Sequence, residues 1–189
     1  MPFIMIAVLI DMAAIGVIVP VLPTLVATFA TDQADQAFWY GVVAAAFGLA
    51  NFVASPILGA LSDHFGRRPV MLLGFMGLGV SFFGTAMSTS LIGLIIARTL
   101  GGAMQANIAI ANAYVADISA PEERAKRFGF LGAMMGVGFI VGPVVGGLLG
   151  AVNLHLPFYL AGSLTLLNLL YGYFVLPESL PLDKRKAFS

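Results

Sequence analysis

The chain has 189 residues, 60% apolar and 10% charged, with zero net charge, no cysteine and a mean hydropathy of +0.99. A soluble domain carries about 25% charged residues, so this composition excludes the soluble and disordered classes and makes lipid the solvent. Zero net charge argues against a nucleic-acid partner. Without cysteine there is no disulfide or thiolate chemistry, and His64 and His155, set in different loops, form no metal cluster.

A spanning helix needs about 20 mostly apolar residues. Six segments qualify, at about 3–29, 38–61, 70–87, 91–114, 128–149 and 157–176, which predicts an all-α membrane unit over 1–177. The first segment lacks a basic n-region and is too long and too rich in proline for the apolar core of a signal peptide. It carries Asp11 about eight residues in. An Asp at mid-membrane costs about 2.5–3.5 kcal/mol and usually faces a cavity. Asp11 therefore reads as a carboxyl that loads and releases a proton; the bland alternative is an interfacial acid near a helix end. Pro20 and Pro23 predict a kink in the last third of span 1.

Span 2 carries a small-residue stripe, Gly41, Gly48 and Ser55, that suits packing, and Asn51, a cavity candidate. The turn after it runs from Gly59 to Pro69. Gly59 and Gly66 permit close approach and a tight reversal. Asp63 can pair with Arg67 four residues on, and Arg68 belongs to the same turn. In span 4, Arg98, Gln105 and Asn112 are seven apart. Seven residues rotate about 700°, so the three share one helix face, read here as a cavity face or as a line of interhelical hydrogen bonds. Asn107 points away from that stripe and reads as packing. Arg98 stays protonated, so it acts on a nearby carboxylate or on an acidic substrate group.

Between spans 4 and 5, Ser119 to Glu122 reads as a capping box opening a short surface helix. It lies within a charge cluster of Asp117, Glu122, Glu123, Arg124, Lys126 and Arg127. Residues 128–177 hold no Lys, Arg, Asp or Glu over 50 positions, which is right for two spans. Span 5 has three GxxxG pairs, 132/136, 138/142 and 142/146, plus Pro143. Such spacing lets backbones touch. Eight of the nine Lys and Arg fall in three clusters on one side of a six-span topology, which places both termini in the cytoplasm. No catalytic set, phosphate loop or cofactor fingerprint is present.

Four segments carry a resemblance. Gly59–Pro69 resembles the loop 2–3 signature of the major facilitator superfamily. Asp11 to Pro23 is similar to the span 1 pattern of its proton-coupled drug antiporters. Arg98-Thr-Leu-Gly101-Gly102 resembles the start of the span 4 motif, and Gly138, Gly142, Pro143, Gly146 and Gly147 the span 5 antiporter motif. With Asp117 to Arg124 added, the set is most similar to the tetracycline/proton antiporter group. His64, Ser81 and the run Met104-Gln105-Ala106-Asn107 depart from the family pattern and put tetracycline itself in doubt.

The resemblance implies half of a twelve-span transporter, built as a 3+3 inverted repeat. Residues 178–189 would begin the cytoplasmic central loop after the Pro177-Glu178-Ser179 exit from span 6. It implies export of a drug-like molecule, with tetracycline a candidate, in exchange for protons across a bacterial-type inner membrane. Asp11 and Arg98 would couple protons. Gln105, Asn112 and Asn51 would line the cavity. Asp63, Arg67, Arg68, Asp117 and Arg124 would form the inner gate. The span 5 helix, besides packing tightly, would meet the opposite half and help block a leak. The partners implied are the bilayer, the substrate, protons and a second six-span half, in cis or in trans; no cofactor or metal is implied. Because all four motifs are of first-half type, a fragment is favoured over a self-pairing half. A facilitator or proton symporter of a small metabolite, or a non-transporting scaffold, is the alternative.

Overall fold

The computed structural model describes residues 1–185. The helices are α1 (Pro2–Ile18), α2 (Leu22–Ala27), α3 (Gln33–Phe65), α4 (Arg67–Ala86), α5 (Leu91–Ala103), α6 (Asn107–Asp117), α7 (Arg124–Val152) and α8 (Leu156–Val175). Short 3-10 turns lie at Pro121–Glu123 and Leu182–Lys184, and no strand occurs among the described residues. Six stretches are long and apolar enough to cross a membrane: α1 with α2, α3, α4, α5 with α6, α7 with its leading turn, and α8. Lys186 of the last basic cluster lies outside the described residues.

Local chemistry sets the ends. Span 2 extends past both predicted limits because the Asp32 carboxylate accepts from Asp35 N at 2.9 Å to cap its start. Gly66, at φ 110°, stops it in a conformation open to glycine. The surface helix expected at Ser119–Glu122 is only a 3-10 turn running into α7. The Ser119 hydroxyl bonds back to the Val115 carbonyl instead of capping forward.

Two spans are interrupted at depth. Pro20 has no N–H to give, so α1 stops at Ile18 and α2 restarts at Leu22 with Pro23 in its first turn. Span 4, read from sequence as continuous, breaks at Met104–Ala106 without a proline. Gly101 and Gly102 lower the cost of leaving the helix. The Asn51 amide donates across the break to the carbonyls of Gly102 and Gln105, at 3.3 Å each.

The heaviest packing pairs span 1 with 5, span 4 with 2, and span 3 with 6, followed by 1 with 6 and 4 with 3. Exchanging 1 with 4, 2 with 5 and 3 with 6 maps this pattern onto itself. That is the contact signature of a 3+3 inverted repeat, and the interrupted spans 1 and 4 are equivalent members of it. Two apolar layers stack along the bundle. One contains Ile4, Val8, Met71, Phe75 and Ile110, the other Val17, Leu25, Leu78, Phe82 and Phe158. Spans 2 and 5 keep open outer faces, with Phe52 77% and Leu148 68% exposed. The chain's start, the turn at 63–68, the loop at 117–124 and residues 177–185 share one end of the bundle, termed the basic face below.

Candidate functional site: two interior charges and a basic-face clasp

Asp11 lies nine residues into α1, about 13 Å from its start, and is 3% exposed. Its polar neighbour is Asn107, the first residue of α6, which is also buried. Asn107 sits over Gly74, where a Cβ would lie 3.0 Å from the Asn107 Cγ. The two side chains face each other loosely: neither Asp11 Oδ1 nor either Asn107 amide atom makes a hydrogen bond of good length and angle. Fully buried Asn168 of α8 donates to the Ala7 carbonyl at 2.8 Å, one turn before Asp11 on the same face. Asn107, read from sequence as packing, and Asn168, not singled out at all, are therefore the polar company Asp11 keeps.

Arg98 is 2% exposed on α5. Its Nη2 donates to Ser81 Oγ at 2.6 Å, and that hydroxyl donates to the Ala97 carbonyl at 2.7 Å. The guanidinium carbon lies 5.2 Å from the Phe82 ring centre and 5.8 Å from that of Phe47, within cation–π range. Among the described residues it makes no ion pair, and Nε has no acceptor. Arg98 and Asp11, the two interior charges, form no ion pair. Asp11 meets the start of α6, nine residues beyond Arg98 and roughly 13 Å further along span 4.

Arg98 and Gln105 border a cavity of about 220 Å³ walled by Tyr40, Phe47, Phe82 and the end of span 1. Gln105 lies in the break itself, and this joins it to Arg98. Past the break the stripe is lost. Asn112 donates to its own helix at Ile108 O, 2.9 Å away, and Asn51 is committed to bridging the break. Neither lines this cavity.

At the basic face Arg67 is the hub. It pairs with Asp63, donates from Nε to Asp117 Oδ2 at 3.0 Å and from Nη1 to Ser62 Oγ at 2.7 Å. Asp117 thus meets Arg67 and no arginine of its own loop cluster. Arg124 is instead exposed, with no ion pair among the described residues, and Arg127 pairs with Glu123 and bonds Ile118 O at 2.7 Å. Arg68 turns the other way, to the carbonyls of Gly172 and Tyr173 at the end of α8. Glu178, absent from the sequence-derived candidates, caps α4. Its carboxylate accepts from Arg67 N at 2.9 Å, Arg68 N at 3.3 Å and Leu180 N at 3.0 Å. Ser179 Oγ reaches Asp117 at 3.3 Å, and Tyr114 holds Pro177 O at 2.9 Å. An acid just past a span, followed by Ser and preceded by Pro, was the available signal; its partner lies over a hundred residues away.

Three glycines of the span 5 motif face inward. A Cβ on Gly138, Gly142 or Gly146 would lie within 2.7 Å of Met12 Cβ, the Ala13 carbonyl oxygen and the Val17 carbonyl carbon respectively. These three glycines thus pack α7 onto α1 inside this unit, the close backbone approach that GxxxG spacing permits. Pro143 approaches Gly16, and Gly147 faces open space.

The sequence profile of the Major Facilitator Superfamily matches residues 4–189. The chain is 44% identical over 169 residues to the class C tetracycline resistance protein of Escherichia coli, covering 89% of this chain and 42% of that protein. It is 32% identical over 176 residues to multidrug resistance protein 2 of Bacillus subtilis, covering 93% of this chain and 43% of that one. The crystal structure of the human organic anion transporter MFSD10 (TETRAN) superposes with a TM-score of 0.85 at 29% identity, over 97% of this chain and 48% of that one. The chain thus spans less than half the length of the relatives it matches.

Proposed function

The chain belongs to the Major Facilitator Superfamily, a family of membrane transporters, and from that premise we propose that it forms the first six-span half of a transporter exporting a drug-like molecule in exchange for protons. The observation that carries the reading is the pair of buried, unpaired ionisable groups at different depths, Asp11 against Asn107 and Arg98 against an aromatic-walled cavity. A buried charge without a counter-ion is costly and is kept where it does work.

In this account Asp11 is the proton carrier, and alternating exposure lets it load on one side and discharge on the other. Arg98, with no carboxylate beside it, engages an acidic or delocalised anionic group of the substrate while Phe47, Phe82 and Tyr40 stack on its flat faces. Gln105 adds a hydrogen bond. Asp63, Arg67 and Asp117, latched by Glu178, form a gate on the cytoplasmic side, and both termini lie there in a bacterial-type inner membrane. The relatives' names, which speak of tetracycline, multidrug resistance and an organic anion, support a substrate of this kind. A second six-span half closes the cavity against the open faces of spans 2 and 5.

Drug accumulation in cells stripped of their own exporters tests this, with residues 1–189 expressed alone and beside a spans 7–12 half from a relative. Proton-dependent efflux in the paired cells is expected. Solute accumulating along with the proton would replace export with symport.

A further inference from the structure

On the outside of the basic face, where spans 2, 3 and 6 leave the apolar layer, lies a cleft of about 390 Å³. Its apolar wall is Phe65, Pro69, Leu72 and Tyr173, and its rim holds Arg68 and Arg185. Phe65 is 54% and Tyr173 60% exposed, so the wall opens outward from the bundle. The depth follows from helix length: α8 has 20 residues, or about 30 Å, which matches the hydrocarbon thickness. Tyr173, in its last turn, therefore stands at the boundary with the headgroups.

The charge balance of the cleft is set by Glu178. Its carboxylate is consumed by backbone N–H groups of residues 67, 68, 179 and 180, and Arg185 Nη2 stands 4.0 Å from it. That leaves one net positive charge among Arg68, Arg185 and Glu178. The guanidiniums keep free donors. Arg68 uses Nε and Nη2 on the Gly172 and Tyr173 carbonyls, leaving its Nη1 group. Arg185 spends Nε on Leu180 O at 3.5 Å. A guanidinium offers five N–H donors suited to phosphate.

We propose that this cleft binds the headgroup of an anionic phospholipid, with the phosphate between Arg68 and Arg185 and an acyl chain along Phe65, Leu72 and Tyr173. An apolar wall at the edge of the hydrocarbon layer and a basic rim just beyond it fit an amphiphile, and a basic pocket between spans at this depth is a known physical basis for lipid selection. The neighbouring carboxylate is already saturated, so an added ammonium finds no free anion there. This favours anionic over zwitterionic lipid. The bound lipid would brace the junction of spans 3 and 6 on which the Arg67 cluster rests.

Native mass spectrometry of residues 1–189, released from micelles containing phosphatidylglycerol or phosphatidylcholine of matched chains, tests this. Retention of phosphatidylglycerol over phosphatidylcholine is expected. Arg185→Gln should lower it about fivefold and Arg68→Gln by a similar factor, taking about 1 kcal/mol per arginine near a charged surface. Lys126→Gln, on the same face and away from the cleft, should leave it unchanged. Arg68 also holds the end of α8, so circular dichroism accompanies each variant and Arg185→Gln carries the test alone if Arg68→Gln unfolds. Equal retention of the two lipids, undiminished binding in Arg185→Gln, or an equal loss in Lys126→Gln would overturn the proposal. Saturable binding of glycerol 3-phosphate that displaces the lipid would assign the site to a soluble phosphate instead, which also overturns it.

Discussion

Gly142→Ala tests the packing of α1 on α7 at its closest point. The added Cβ would lie 2.7 Å from the Ala13 carbonyl oxygen and from Gly16 Cα, whereas ordinary contact begins at 3.4 Å. Both are backbone atoms, so no rotamer change relieves the clash and the helices must part by about 0.7 Å. A gap of 0.5–1 Å forfeits roughly a quarter to a half of each dispersion contact along the seam, and overpacking of this kind costs about 1–3 kcal/mol. In lipid no hydrophobic effect between helices compensates. Gly147→Ala is the matched control: its Cβ meets nothing within 4 Å, and alanine improves helix propensity by up to about 1 kcal/mol. Thermal unfolding of purified 1–189 in mild detergent, followed by circular dichroism, should show Gly142→Ala melting below the parent and Gly147→Ala at or above it. Equal melting of the two variants would refute the claim that this glycine row is a backbone contact within the unit.

Asn51→Leu should loosen the break in span 4, because the Gly102 and Gln105 carbonyls lose their side-chain donor. A loss of about 1–3 kcal/mol and faster deuterium exchange over 102–108 are expected. Arg67→Ala leaves Asp63 and Asp117 without their shared cation; unfolding should be easier by about 1–3 kcal/mol, with Arg67→Lys restoring only part of it. Arg98→Gln should weaken binding of an anionic substrate to the paired halves by about tenfold or more, since a charge-assisted bond contributes about 1.5–3 kcal/mol. Equilibrium binding to a neutral analogue should move far less.

Span number, the proline interruption of span 1 and the interior placing of Asp11 and Arg98 are legible in the sequence because each rests on a local feature: apolar length, a missing N–H, a charge within an apolar span. Where reasoning from sequence departs from the structure, the deciding contact is remote. The seven-residue stripe assumed an unbroken span 4, and the break depends on Asn51, more than fifty residues upstream. Asn107 could not be matched to Asp11 without knowing that α6 begins there. Asp117 has two arginines within ten residues of it in sequence, Arg124 and Arg127, yet spatially it meets Arg67, because the turn at Gly66 brings α4 against the end of span 4. Glu178 shows the same limit, since the helix it caps starts 111 residues before it.

The central claim is that Asp11 carries the proton exchanged for substrate. The most direct measurement is proton flux, read by an internal pH dye, in vesicles holding residues 1–189 paired with a second six-span half. An outward substrate gradient should drive counterflow of protons in the parent. Asp11→Asn should abolish that counterflow while substrate-exchange binding and membrane insertion persist. Undiminished substrate-driven proton counterflow in Asp11→Asn would contradict the account and move the coupling site elsewhere.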